Sequence, residues 1–146
     1  MKKILAKLRN KKVIALVLAT TLLCCTSLTA FASWYGFSHD VTILGGDNIL
    51  YDAEYTGTNV GGDVWTSVDT AHIAYEGKPY TFYIQKKGWW VWQWDTVASE
   101  TCYYGRQGTV KAYNCGDGRY RFVLKASDFL KDEGITAYKF ESYSWD

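Results

Sequence analysis

The sequence predicts an all-β domain, a small antiparallel β-sandwich of seven to eight strands, preceded by a cleaved signal helix. Segments rich in Val, Ile, Thr, Tyr, Phe and Trp alternate with Gly-rich stretches, as strands alternate with turns. After residue 32, no stretch shows helical periodicity. The 146 residues suffice for one ordinary domain, and a charged fraction of 21% with a single Pro excludes a coiled coil, a disordered chain and a collagen-like protein.

Residues 1–32 have the three parts of a secretory signal peptide. Residues 1–12 carry only basic charges, residues 13–23 form an apolar run, and Ala30-Phe31-Ala32 matches the cleavage motif. The run is far shorter than the ~20 residues that cross a bilayer, so we expect cleavage after Ala32, secretion of residues 33–146 as a single domain, and no stable membrane anchor. A retained anchor is the less favoured alternative. Lipidation is another, because two cysteines follow the apolar run, but the preceding Leu23 is not the small residue that this processing prefers.

Cleavage changes the charge of the protein. It removes six of the 16 basic residues and none of the 15 acidic residues, so residues 33–146 carry a formal net charge of −5. Nucleic acids are bound mainly through cationic side chains, and anionic membranes attract cationic proteins. We therefore expect no nucleic-acid partner, and we expect the secreted domain to be a monomer.

Eight segments after residue 32 have strand composition and are separated by turn residues such as Gly45-Gly46-Asp47-Asn48 and Glu76-Gly77-Lys78-Pro79. The predicted strands are residues 35–44, 49–56, 64–75, 80–85, 89–97, 107–115, 119–126 and 135–143. Residues 127–134 begin with Ser-Asp and end with Gly, which predicts a single helical turn.

The strand at residues 119–126 shows the clearest alternation. Tyr120, Phe122 and Leu124 share one face and three basic residues share the other, as in an antiparallel strand with one buried face. The preceding Asp117-Gly118-Arg119-Tyr120 resembles the tyrosine corner of immunoglobulin-like sandwiches. This resemblance covers about ten residues and implies an immunoglobulin-like or related sandwich.

Two cysteines, Cys102 and Cys115, remain after the predicted cleavage site. Paired thiols are the usual state of an exported chain, so we predict a Cys102–Cys115 disulfide, for which chain entropy supplies about 3 kcal/mol. A zinc site is the competing interpretation. It is less favoured because His39 and His72, the two available histidines, are far from both cysteines in sequence. We predict no metal site and no cofactor.

Residues 86–95, KKGWWVWQWD, contain four of the seven tryptophans. On a strand, Trp90, Trp92 and Trp94 would share one face, while the opposite face would carry Trp89, Val91, Gln93 and Asp95. The simpler interpretation buries the first three in the core, since a small domain fills its core with few large side chains. The alternative leaves indole rings exposed as a flat platform that stacks on sugar rings, with polar neighbours bonding the hydroxyl groups.

The candidate ligand-binding residues are Trp89, Trp90, Trp92, Trp94, Tyr83, Gln93 and Asp95. Trp34 and Trp145 either extend this platform or simply end strands, and the sequence does not decide between the two.

No catalytic motif accompanies these aromatic residues. The sequence lacks GxSxG, HExxH and phosphate-binding loops, and the adjacent Ser38, His39 and Asp40 would point to opposite faces of a strand. We therefore predict a secreted, non-enzymatic binding domain that recognises cell-wall material or another extracellular polysaccharide. The alternatives are an antimicrobial or membrane-active protein, and an interaction partner or inhibitor of another exported protein.

Overall fold

The computed structural model describes residues 34–126 and 135–146, and in these residues the chain forms nine strands and one short 3-10 helix. The predicted signal peptide at residues 1–32 and the predicted helical turn at residues 127–134 lie outside the described residues. The strands are β1 (Trp34–Phe37), β2 (Val41–Ile43), β3 (Gly46–Tyr55), β4 (Asn59–Val68), β5 (Pro79–Lys87), β6 (Trp94–Tyr103), β7 (Gln107–Ala112), β8 (Gly118–Ala126) and β9 (Ile135–Trp145). The helix, η1, spans Thr70–Tyr75.

The strands form two antiparallel sheets, so the prediction of an all-β sandwich is confirmed. In the first sheet, which we call sheet A, the strand order is β1-β9-β4-β7, and β2 also pairs with β9. In the second, sheet B, the order is β3-β8-β5-β6. One face of each sheet packs on the other sheet, and the two remaining faces point outward.

The core between the sheets is strongly aromatic. Phe122 of sheet B lies 5.2 Å from Phe140 of sheet A and 5.9 Å from Tyr55, measured between ring centroids. Gly62 makes room for these rings, because a Cβ atom there would lie 2.6 Å from the Phe122 ring. Among the described residues, six aromatic rings are fully buried, and none of them is a tryptophan: Tyr55, Phe82, Tyr104, Tyr120, Phe122 and Phe140.

The first and third predicted strands end differently in the structure, and the predicted strand at residues 107–115 ends at Ala112. The first divides into β1 and β2, and the third stops at Val68, before η1. Asp69 causes this change, because its carboxylate accepts a hydrogen bond of 2.8 Å from the His72 backbone N–H and caps η1. The same oxygen lies 2.7 Å from His72 Nδ1, which gives this histidine a structural role.

The tyrosine corner predicted from the sequence is present. The Tyr120 hydroxyl donates to the carbonyl oxygen of Cys115 at 3.0 Å and also contacts the carbonyl oxygen of Gly116. Gly116 and Gly118 adopt positive φ angles of 66° and 152°, which the turn requires. The corner fixes the turn between β7 and β8.

The predicted disulfide is wrong for this structure, in which Cys102 and Cys115 are free thiols. Cys102 lies on β6 against Gly108, whereas the Cys115 sulfur lies 3.8 Å from the carbonyl oxygen of Ala112. Gly108 and Ala112 are four residues apart on β7, about 13 Å at strand spacing. A disulfide requires Cβ atoms within about 4.5 Å of each other, so the sandwich holds the two thiols too far apart.

Candidate functional site: an exposed tryptophan loop

The most exposed aromatic side chains lie in the connection between β5 and β6, residues 88–93, which we call the Trp loop. Trp89, Trp90 and Trp92 are 97%, 74% and 91% exposed, and Val91 between them is also exposed. The core interpretation of this segment is therefore wrong. The interpretation that leaves indole rings in solvent is right about exposure, but the rings occupy a hairpin tip and not a flat strand.

The chain turns here because the sheet ends. Lys86 pairs with Tyr120, and β8 begins only two residues earlier, at Gly118, so β5 has no partner beyond Lys87. The segment has high strand propensity, but a strand without a neighbour leaves its backbone groups unpaired. The predicted strand at residues 89–97 accordingly begins late, at Trp94, and continues to Tyr103.

Backbone and side-chain hydrogen bonds hold the Trp loop in one conformation. The Gly88 N–H donates to the Gln93 carbonyl oxygen, and the Gln93 N–H donates to the Trp90 carbonyl oxygen, each at 3.0 Å. The Gln93 side-chain amide donates to both carboxylate oxygens of Asp95 at 3.0 Å. Gly88 lets this amide pack against the backbone, since a Cβ atom there would lie 2.8 Å from Gln93 Cδ. Gln93 and Asp95 thus brace the base of the Trp loop.

Trp94 has a different environment from the three loop tryptophans. It is partly buried on the outer face of sheet B, where the guanidinium carbon of Arg121 lies 4.4 Å from its ring centroid and Lys87 Nζ lies 5.8 Å away. Arg121 also donates a hydrogen bond of 2.6 Å to Gln85. These contacts place two cations against the Trp94 ring, so this ring is less accessible than those of the three loop tryptophans.

Tyr83 lies apart from the Trp loop. It is four residues before Lys87 on β5, a distance of about 13 Å along the strand, and it is buried on the outer side of sheet B. Burial, together with the neighbouring carboxylate of Asp47, raises the pKa of Tyr83 to about 12. The structure therefore brings together the four tryptophans, Gln93 and Asp95, but not Tyr83.

Two further tryptophans singled out in the sequence lie on the opposite side of the sandwich. Trp34 begins β1 and Trp145 ends β9, and both are on the outer face of sheet A. Tyr113 and Tyr143 lie beside Trp145 in the structure, although nothing in the sequence pattern connects them with it. Only the pairing of β1 with β9 reveals this neighbourhood.

Within residues 34–126 and 135–146, no three His, Cys, Asp or Glu side chains are grouped closely enough to hold a metal ion. In the same residues, none of the helices has the length and apolar character needed to cross a membrane.

Comparison with known proteins gives no family for this chain. No protein-family model matches it, and no curated protein matches its sequence. One solved structure with a similar chain path is described as "Bacillus endospore appendages form a novel family of disulfide-linked pili"; the TM-score is 0.44 and the identity 14%, over 80% of this chain and 91% of that one. Another is described as the structure of infectious bursal disease virus, Gx strain, with a TM-score of 0.43 and an identity of 10%. The match covers 77% of this chain and 32% of the viral chain, so this chain spans about a third of the viral chain's length. Both likenesses are too weak to carry a conclusion about function.

Proposed function

We propose that this protein is a secreted, non-enzymatic domain that binds an extracellular polysaccharide through the Trp loop. The observation that carries the proposal is the exposure of Trp89, Trp90 and Trp92, at 74% or more each. Exposing this much contiguous apolar surface is unfavourable in water, and such patches usually mark binding surfaces. The signal-peptide pattern of residues 1–32, which predicts cleavage after Ala32, supports an extracellular ligand.

The chemistry of the Trp loop suits a sugar polymer. Indole faces pack against the C–H faces of pyranose rings, and the nearby Asp95 carboxylate accepts hydrogen bonds from hydroxyl groups. The hydrogen bonds within residues 88–93 order the loop before binding, so little conformational entropy is lost on association. Because the three rings project from a convex tip, the loop is shaped to contact the surface of an insoluble polymer.

A sedimentation assay with insoluble cell-wall polysaccharide tests this proposal. The purified protein should sediment with the polymer, and the combined Trp89→Ala, Trp90→Ala and Trp92→Ala variant should remain in the supernatant. Ile73→Ala is the matched control, since Ile73 is an exposed apolar side chain on η1, outside the Trp loop. The proposal fails if the folded triple variant sediments like the unsubstituted protein.

A second candidate is insertion of the Trp loop into a lipid interface. The observation that favours it is Val91, an exposed aliphatic side chain among the indoles, together with the cations of Lys87 and Arg121 at the nearby Trp94 ring. The net charge of −5 for residues 33–146 opposes it. Flotation with phosphatidylglycerol vesicles distinguishes the two, because a polysaccharide-binding loop should leave the protein unbound to lipid.

A further inference from the structure

A second aromatic surface covers the outer face of sheet A. One row across this sheet pairs Trp34 of β1 with Tyr143 of β9, Tyr143 with Gly61 of β4, and Gly61 with Lys111 of β7. Trp145 follows on β9, with its ring centroid 5.6 Å from that of Tyr143. We call the outer side of β1, β9, β4 and β7 the aromatic face.

Gly61 allows two of these rings to lie against the sheet. A Cβ atom at Gly61 would be 2.7 Å from the Tyr143 ring and 3.1 Å from the Trp145 ring, so both rings cover the bare backbone. Tyr113 packs edge-on against Trp145 at 5.8 Å. Trp34 and Tyr113, at the two sides of this group, are 62% and 63% exposed. The result is a broad aromatic surface supported by regular backbone.

Polar side chains follow in the middle of the aromatic face. The Asp63 carboxylate accepts a hydrogen bond of 3.2 Å from Gln107 and a closer one from Thr109. Glu141 pairs with Asp63 across the strands and forms an ion pair of 2.7 Å with Lys139. These contacts hold two carboxylates in place beside the aromatic rings.

A further aromatic side chain lies beyond the carboxylates. Trp65 is next on the outward side of β4, and Lys139 Nζ lies 4.2 Å from its ring centroid. Trp145 pairs with Asn59, six residues before Trp65, so aromatic side chains mark both ends of a path about 20 Å long. The order along this path is aromatic, carboxylate, aromatic.

We propose that the aromatic face binds a single extended chain of a neutral polysaccharide. The rings at the two ends would stack on sugar faces, while Asp63 and Glu141 between them would accept hydrogen bonds from hydroxyl groups. Regular strands hold every one of these side chains except Tyr113, so the path is rigid before binding.

The charges on the aromatic face favour a neutral polysaccharide over an anionic one. Two acidic side chains, Asp63 and Glu141, are balanced by two basic ones, Lys111 and Lys139, so the face offers no net attraction to a polyanion. A lipid bilayer would have to desolvate the carboxylates in the middle of the path, which is unfavourable. Neutral sugars avoid both difficulties, because their hydroxyl groups bond to carboxylates and their ring faces remain apolar.

Calorimetric titration with soluble hexasaccharides tests the proposal on purified protein. Cellohexaose and chitohexaose are the neutral probes, and the galacturonate hexamer is the anionic comparison. We expect at least one neutral probe to bind and the affinity to fall about tenfold in Trp145→Ala, the loss expected for one aromatic contact. Trp34→Ala and Tyr113→Ala should each weaken binding while leaving the fold intact, because both side chains are largely exposed.

The matched control is Tyr103→Ala, which removes an exposed aromatic side chain from β6, outside both the Trp loop and the aromatic face, and should leave hexasaccharide affinity unchanged. The inference is overturned if no neutral hexasaccharide binds, if the anionic hexamer binds more tightly, or if Trp145→Ala, Trp34→Ala and Tyr113→Ala all bind as tightly as the unsubstituted protein. It is independent of the Trp loop: loss of polymer sedimentation in the loop variant alone supports the Proposed function, whereas loss of hexasaccharide binding in Trp145→Ala alone supports the aromatic face.

Discussion

The environment of each tryptophan depends on where its strand ends. Trp92 projects into solvent because β5 and β6 have stopped pairing, whereas Trp94, two residues later, lies on a sheet beneath Arg121. Trp145 lies against Gly61 on the other sheet. Tryptophan thus occurs in three environments within one small domain: exposed in a loop, partly buried against a cation, and packed flat on a sheet.

The two thiols should differ in reactivity. Cys102 is buried, and burial raises the pKa of its thiol, while Cys115 is partly exposed after β7. In the protein cleaved after Ala32, a maleimide reagent should label Cys115 in the folded state and both cysteines after unfolding, as read by mass spectrometry. If unfolded, unreduced protein takes up no label, the cysteines are bonded and the arrangement of β7 described above is incorrect. Cys115→Ser is the control, and should abolish labelling of the folded state.

At the scale of the strand pair, one side-chain brace lies at the base of the Trp loop, between β5 and β6. The Gln93 amide covers Gly88 and bonds to Asp95, while the backbone bonds of the loop lie directly above. Three large apolar side chains in water gain nothing from staying in one orientation. The order of the Trp loop therefore depends on Gln93.

Gln93→Ala should loosen the Trp loop without unfolding the domain. Loss of an exposed hydrogen-bonded side chain should change the free energy of unfolding by about 0.5 kcal/mol or less, whereas amide exchange at Gly88 and Gln93 should accelerate severalfold. Exchange measured by NMR checks this, with Gln107→Ala on β7 as control. Unchanged exchange at Gly88 would show that the backbone bonds alone hold the loop.

Close packing of the two sheets requires a glycine at position 62 of β4. Gly62 faces Phe122, and an added methyl group at 2.6 Å from that ring would push the sheets apart. Gly62→Ala should lower the free energy of unfolding by about 1–3 kcal/mol, measured by urea denaturation. Ser67→Ala on the exposed side of the same strand should change it by about 0.5 kcal/mol or less. Equal stability of the two variants would mean that the core adapts around Gly62.

For the whole molecule, the many fully or partly buried tyrosines predict instability in alkali. Burial raises the pKa of Tyr83, Tyr104 and Tyr143 to about 12, and raises those of Tyr55, Tyr80 and Tyr120 further. An unfolded tyrosine releases its proton near pH 10, so the unfolded state binds fewer protons above that pH. The stabilisation is complete below about pH 10 and is lost as pH rises through about 12.

Urea denaturation at increasing pH measures this loss. The midpoint should be constant up to about pH 10 and then fall steeply, together with the appearance of tyrosinate absorbance. Tyr83→Phe should reduce the steepness, because it removes one group whose pKa burial has raised. A midpoint that stays constant to about pH 12 would show that these hydroxyl groups are not protected by the fold.

The sequence by itself determined the class of the domain. Period-two alternation in residues such as Tyr120, Phe122 and Leu124 identified the sandwich, and Asp117-Gly118-Arg119-Tyr120 identified the corner, because both depend on residues close together in the chain. The unusual content of residues 86–95 likewise identified the segment that carries the exposed rings. These features follow from local chemistry, which needs no knowledge of distant partners.

Only the tertiary structure decided at which residues the pairing between strands ends. It turned the Trp89–Trp92 segment into a loop because β8 begins at Gly118, and it separated Cys102 from Cys115 along β7. It also placed Trp34 beside Tyr143, more than a hundred residues away in the chain. Such outcomes depend on pairing between strands that are distant in sequence. Strand propensity and residue spacing do not encode that pairing, because each describes only residues close together in the chain.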